Sequence, residues 1–308
     1  MCGRRSRHEL REEVGRFDEG TFGVSSLVYV IAHLLPFKRS GFFQNIMMEP
    51  CESGARPIEE LAFLLLPAPK VDNDLLQQCA NLYSNHYGIW GPNAGDEAKP
   101  GSRVKISAEK LRSQGLYDVK RCFVVAAIHP ATNQVIGNAF CTRFYFAPGK
   151  GDVMWITQLV VHKDWRGIGV GRRLCRLAWD GENTFACGIV SPHPFAVRCL
   201  ERMAGVPCDL AMTKIHGLAI ATASGIDLVT KSRLVVNKST SVLQSSFFVD
   251  RAEIATFPEN WQLGKLQDGE EYFALCFPAF KLDQQPRQAR RLFPWLSCCF
   301  SFGKHMQQ

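Results

Sequence analysis

The stretch Gln158–Leu174, QLVVHKDWRGIGVGRRL, sets Gly167, Gly169 and Gly171 between two apolar segments. The run Ile156 to Val161 reads as a buried strand, and the residues after Gly171 bring Leu174, Leu177 and Ala178 onto one helical face. Strand, glycine turn and helix therefore follow one another directly. Such a turn leaves backbone N–H groups unpaired at the positive end of the helix dipole, which suits a pyrophosphate. Glycine permits the close approach that a Cβ would block. The spacing RGIGVG is not the GxxxxGK of a P-loop. A dinucleotide fingerprint counted from Gly167 also fails, because Arg172 stands where its last glycine would be.

The segments before the turn decide its context. RCFVVAAIH (121–129), VIGNAFCTRFYF (135–146) and VMWITQLVVH (153–162) read as strands, joined by the short turns PATNQ and APGKGD. Connections this short require antiparallel hairpins, which excludes the alternating strand and helix order of a doubly wound dinucleotide fold. Upstream, Leu61 to Leu66 form a strand stopped by Pro67 and Pro69, and Asp72 or Asn73 caps a helix carrying Leu75, Leu76, Cys79 and Leu82. A Gly- and Pro-rich loop from Asn85 to Gly101 follows, with Trp90 either meeting a ligand or plugging the core end, and then a short helix in SAEKLRSQG (107–115).

Downstream, the helix from Arg172 to Trp179 leads to the strand TFACGIVS (184–191), reached through a helix and so parallel to the strand before it. The next helix, in HPFAVRCLERMAG (193–205), turns Ala196, Cys199, Leu200 and Met203 inward. A helix from Leu210 to Ser224 ends at Gly225, and strands in LQSSFFVD (243–250) and EEYFALCF (270–277) close the domain. The expected fold class is α/β (α+β), a mixed and mostly antiparallel sheet flanked by helices. Residues 57–280 form the domain, 1–56 an extension without an assigned role, and 281–308 a basic tail.

Bulk composition agrees with a globular protein: 308 residues, 46% hydrophobic and 11% aromatic, provide ample core material. The net charge of +7 favours anionic ligands but falls short of a nucleic-acid-binding chain, and much of it sits at the ends, so no nucleic-acid partner is expected. Twelve cysteines lie scattered through apolar segments without metal-ligand spacing, so reduced thiols, a cytoplasmic setting and no bound metal are expected. The apolar run Val24 to Phe37 is shorter than the roughly 20 residues of a bilayer span, and no membrane association is expected. Cys298 and Cys299, beside Phe293, Trp295 and Phe300, read as part of the loosely packed basic tail rather than an acylated anchor.

LVVHKDWRGIGVGRRL resembles motif A of the GNAT superfamily of N-acetyltransferases, whose Arg/Gln-x-x-Gly-x-Gly/Ala pattern is met by Arg166, Gly169 and Gly171. The element order from about residue 57 to 280 is similar to that fold. The resemblance implies acetyl-CoA, or another acyl-CoA, lying across the splayed ends of the strand Met154 to Val161 and its parallel neighbour Phe185 to Ser191. Leu159, Val160 and Val161 would meet the pantetheine arm, with a β-bulge freeing their backbone groups. The amides of Gly167, Ile168, Gly169, Val170 and Gly171 would hold the pyrophosphate, with Arg166 and Arg172 adding charge. His193 stands about where relatives place a polar residue beside the pantetheine, or is simply a helix cap.

For catalysis the resemblance implies the Val161 amide as oxyanion donor. Where relatives carry a glutamate base and a tyrosine acid, this chain has Trp155 and Leu200. Two readings follow: a transferase that works by positioning, with Gln158, Ser191 or Asp152 relaying protons, or a CoA-binding scaffold or interaction module. The transferase is the expected function. Its acceptor would be an amine between Asn85–Trp90, with Tyr87 and Trp90 as contacts, and the strands near Phe247 to Asp250. The aromatic, neutral character of these segments favours a small-molecule amine over a protein lysine or N-terminus.

Overall fold

The structure is a computed structural model, and it describes residues 58–95, 98–147, 150–179, 184–252 and 261–278. The expected extension 1–56 and the basic tail 281–308, with Cys298 and Cys299, lie outside the described residues.

The strands are β1 (Ala62–Pro67), β2 (Cys122–His129), β3 (Gln134–Ala147), β4 (Gly151–Val161), β5 (Thr184–Ser191), β6 (Arg233–Val236), β7 (Ser241–Gln244) and β8 (Glu270–Cys276). They form one sheet in the order β1-β2-β3-β4-β5-β8-β7-β6. Pairing is antiparallel throughout except between β4 and β5, which run parallel. The helices are α1 (Asn73–His86), α2 (Ala108–Gly115), α3 (Val170–Ala178), α4 (Pro194–Ala204), α5 (Leu210–Ser224) and α6 (Asp227–Lys231).

Both faces of the sheet are covered, which is why its central strands read as nearly continuous apolar runs. On one face Val125, Ala139, Met154, Ile156 and Ile189 pack against Leu174 and Cys175 of α3 and Val197 and Leu200 of α4. On the other, Val124, Ala126, Phe140 and Val160 lie under Leu76, Cys79 and Leu82 of α1 and Leu111 of α2. Farther along that second face, Val153, Trp155, Phe273 and Leu275 pack against Ile220 and Ala221 of α5. Caps fix the helix starts: the Asp72 carboxylate accepts from Leu75 N–H at 2.8 Å, and the Ser107 hydroxyl accepts from Lys110 N–H at 3.1 Å.

Four details depart from the sequence reading. First, β1 continues through Pro67, which is tolerated because β1 is a sheet edge and its missing N–H breaks no interior ladder. Second, the strand expected over 243–250 stops at Gln244: Ser246 takes φ +57°, and the chain leaves the sheet. Third, β7 instead begins at Ser241 and forms a hairpin with β6, a four-residue strand too short to stand out in the sequence. Fourth, α4 buries Val197 and Glu201, while Ala196 and Cys199 are only half-buried. Glu201 is tolerated inside because its carboxylate pairs with Arg198 at 3.0 Å, accepts Cys208 N–H at 3.0 Å and takes a short bond from Gln262.

At Gly188, in β5, a Cβ would lie 2.5 Å from two ring carbons of buried Trp155 and 2.9 Å from Leu275 Cδ2. Gly188→Ala is therefore expected to lower stability by about 1–3 kcal/mol through overpacking, read as a lower urea midpoint at unchanged slope.

Candidate functional site

The ladder between β4 and β5 ends at Ile156↔Ile189. Beyond it β4 runs on to Val161 against β3 alone, and β5 to Ser191 against β8 alone, so the two parallel strands part and leave a gap. The cause lies in β4. Its register against β3 jumps from Phe140↔Gln158 to Cys141↔Ile156, which makes Thr157 a bulge residue, and its hydroxyl bonds Phe140 O at 3.1 Å. After the bulge His162 N–H donates to Ile136 O at 2.8 Å, and Gly137↔Val161 and Ala139↔Leu159 follow in register. Antiparallel pairs alternate between bonded and non-bonded, so the backbone groups of Leu159 and Val161 turn away from β3, toward the gap. In keeping with that direction, Val161 O accepts from Arg166 Nε at 3.1 Å.

A short 3-10 turn, Lys163–Trp165, carries the chain from β4 to the glycines and is anchored by buried Trp165. Gly167 and Gly169 take φ +82° and +100°, a region that side chains disfavour. A Cβ on Gly167 would meet nothing within 4 Å, and one on Gly169 only Ile58 Cδ1 at 3.9 Å, so the turn faces open space. As N-cap of α3, Gly169 offers no side chain to the first-turn N–H groups. Gly171 serves packing instead. A Cβ there would lie 3.2 Å from Cys199 Sγ, so its absence lets α4 pack on α3. Ile168 is half-buried and Val170 buried, leaving their backbones to face the turn, while Arg172 is exposed beside it.

Arg166 directs its guanidinium to the carbonyls of Val161 and of His86 at the end of α1, clasping the turn to both. The rings of His86 and His162 lie 4.0 Å apart. Burial, then His162, Arg166, Arg103 and Lys163, push His86 down to about 4, so its imidazole is neutral at pH 7.

The remaining expected residues fall into three groups. His193 is the N-cap of α4: its Nδ1 accepts Phe195 N–H at 3.3 Å, and its own N–H donates to the Ser191 hydroxyl at 3.1 Å. Trp155 and Leu200 are core residues at 1% and 0% exposure, with Trp155 against Phe273 at 5.4 Å. Asp152 pairs with Thr184 at the start of β4, the end away from the gap, and so does not join Gln158 and Ser191 there.

Tyr87 and Trp90 meet the segment that leaves β7. Trp90 bridges to Val249, Gly91 N–H donates to Phe248 O at 2.8 Å, and Asp250 N–H to Ile89 O at 2.8 Å. Tyr83 stacks on Tyr87 at 4.1 Å, and Phe247 lies 6.0 Å from Tyr87 and 5.4 Å from Trp90, forming an aromatic wall. Behind it stands a residue the sequence reading passed over. Glu271 of β8 is 3% exposed, and its Oε2 has no hydrogen-bond partner. Burial pushes its carboxyl up to about 7, against the Ser245 hydroxyl, which bonds the charged form. The signal is present in EEYFALC: on a strand, Glu271 shares a face with Phe273 and Leu275.

Residues 94–204, from the loop before α2 to the end of α4, match the family model described as acetyltransferase (GNAT) family. No curated protein matches the chain in sequence. Among solved structures it is similar to an aminoglycoside acetyltransferase from an uncultured soil metagenomic sample, with 17% identity, 38% of this chain and 65% of that one covered, and a TM-score of 0.28. The chain thus spans just under two thirds of that protein's length. It is also similar to mosquito arylalkylamine N-acetyltransferase like 5b, with 13% identity, 70% and 100% covered, and TM-score 0.36. Arabidopsis thaliana NAA60 in complex with acetyl-CoA gives 12% identity, 70% and 98% covered, and TM-score 0.38.

The buried carboxyl makes a measurable prediction. Its folded pKa is raised from 4.5 to about 7, so between those values the folded protein holds a proton that the unfolded chain has released. Stability then falls as pH rises through that window, by at most about 3 kcal/mol, and the penalty is complete above it. Glu271→Gln is expected to raise the Tm at pH 8 and to leave it unchanged at pH 4, read by calorimetric melting at both.

Proposed function

We propose that residues 57–280 are an acyl-CoA-dependent N-acyltransferase that moves an acetyl group from acetyl-CoA to a primary amine, with a small-molecule amine as acceptor. The observation that carries this reading is the parting of β4 from β5 directly beside a glycine turn that opens α3. The open space at Gly167 and Gly169, and a helix start without a side-chain cap, fit the diphosphate of CoA.

The backbone groups of Leu159 and Val161, turned to the gap, would hold the amides of the pantetheine arm, and Arg172 would add positive charge near the phosphates. When bound, the thioester supplies an acyl carbon already activated toward amines. The Val161 amide, which β3 does not engage, would donate to the acyl oxygen as negative charge builds there. With Trp155 and Leu200 in the core, no side chain at those positions can move a proton, and Gln158 and Ser191 at the gap would orient groups or waters, with the Ser191 hydroxyl able to relay a proton. Positioning therefore carries much of the rate. Free, mostly buried thiols among the described residues suit a reducing compartment such as the cytoplasm.

Calorimetric titration with acetyl-CoA is expected to give micromolar binding to the wild-type chain. Gly169→Glu, which sets a carboxylate beside the phosphates in a backbone region disfavoured for side chains, is expected to abolish that binding. Wild-type affinity in this variant would overturn the assignment of the glycine turn.

A further inference from the structure

The gap opens onto two sides of the sheet, and the glycine turn accounts for one. On the other, three acceptor oxygens are buried without partners, Asn138 Oδ1, Gln158 Oε1 and Glu271 Oε2, and the last two lie nearest the end of β5. Their register places both past the ends of the ladders that flank β5. Gln158 lies two residues beyond the last β4–β5 pair, opposite Phe140, whose side chain packs under α1. Glu271 lies one residue beyond the Ser191↔Tyr272 pair, on the face of Phe273. Strand alternation puts the two side chains on the same face, Gln158 on β4 and Glu271 on β8, the neighbour of β5.

Native proteins rarely leave such atoms unsatisfied, and a carboxylate with a free oxygen in an apolar surround is the more demanding of the two. Among the described residues no ion pair reaches Glu271. The side chains that bear on it are neutral: Ser245 bonds it, and it adds to the burial that pushes the Tyr83 and Tyr87 hydroxyls up. A cation that donates N–H groups would satisfy it and favour its ionised form. Tyr87, Trp90 and Phe247 are half-buried and pack ring to ring, and the charge of Glu271 bears on the Tyr87 hydroxyl. Their faces favour a cation with an apolar body.

We propose that Glu271 is the proton acceptor of the transferase reaction, receiving the acceptor as a primary ammonium whose apolar or aromatic body packs against Tyr87, Trp90 and Phe247. The inference rests on the acyltransferase reading above. Glu271 carboxylate takes one proton from R–NH3+, leaving R–NH2 and a neutral carboxyl. The nitrogen lone pair then forms the C–N bond as the C–S bond breaks, the surplus N–H proton passes to the departing sulfur, and Glu271 returns its own proton to solvent. A carboxyl that titrates close to neutrality can both accept and release that proton.

The test uses the full chain saturated with CoA, titrated at about pH 7 with benzylamine, and with benzyl alcohol as the uncharged control, in two buffers of different ionisation enthalpy. Wild type is expected to bind benzylamine in preference to the alcohol and to release protons on doing so, because the ammonium draws Glu271 into its ionised form. Glu271→Gln is expected to bind CoA normally, to bind benzylamine at least about tenfold more weakly, and to show no proton release. Glu271→Asp should recover part of both and guards against a folding defect in the amide variant. Unchanged benzylamine affinity in Glu271→Gln, or no benzylamine binding by CoA-loaded wild type, would overturn the role of Glu271 and leave the cofactor reading standing. Failure of wild type to bind CoA at all would remove the transferase reading, and this one with it.

Discussion

One extra residue in β4 governs the site. Because Thr157 bulges out of the ladder with β3, the strand bends, and its last residues cannot follow β5. A regular parallel pair would have consumed the N–H and C=O groups of Leu159 and Val161 in sheet hydrogen bonds. The bulge leaves them facing a gap instead, where a ligand can complete the ladder. The hydroxyl of Thr157 on Phe140 O stabilises the bulge locally, and close packing on both faces of the sheet keeps the strands from closing over it.

The three glycines after β4 share a motif but not a role. Gly167 and Gly169 have positive φ and open space beside them, as a ligand-facing turn needs. Gly171 is already helical, and what it permits is the approach of Cys199 on α4. Arg166, the basic residue that opens the motif, holds the turn in place through the carbonyls of Val161 and His86. That clasp joins the end of β4, the turn and the end of α1, so the glycine turn and the aromatic wall that begins at Tyr87 are fixed to each other by one side chain.

What can be read from the sequence follows the strength of each local signal. The hairpins β2 to β4, the glycine turn and the helices α1, α3 and α5 are legible because long apolar runs, short turns and capping residues all agree. The β6–β7 hairpin and α6 are not, since four or five residues carry too little periodicity. In the site, the backbone elements are legible through the motif and its resemblance, whereas the bulge itself leaves no mark in WITQLVV. Glu271 is legible in principle, as a charge on the apolar face of EEYFALC, but the resemblance points to Trp155 and Leu200 and does not reach β8. His193 and Ser191 show the opposite case: their polar groups are engaged in starting α4.

The chemistry divides across the sheet. Helices α3 and α4 cover the face that bears the glycine turn, and α1, α2 and α5 cover the face that bears Gln158 and Glu271. The parting of β4 and β5 is where the two sides communicate. A reaction that joins an anionic carrier to a cationic acceptor gains from that arrangement, because each partner can be held by groups of opposite charge without the two binding sites competing. The core role of Trp155 is consistent with that arrangement. With Trp155 filling the core against Phe273, a carboxyl at its position would have to be buried inside the packed cluster. On β8, by contrast, Glu271 stands one residue past the ladder with β5, beside Ser245, where a polar partner would satisfy its buried oxygen.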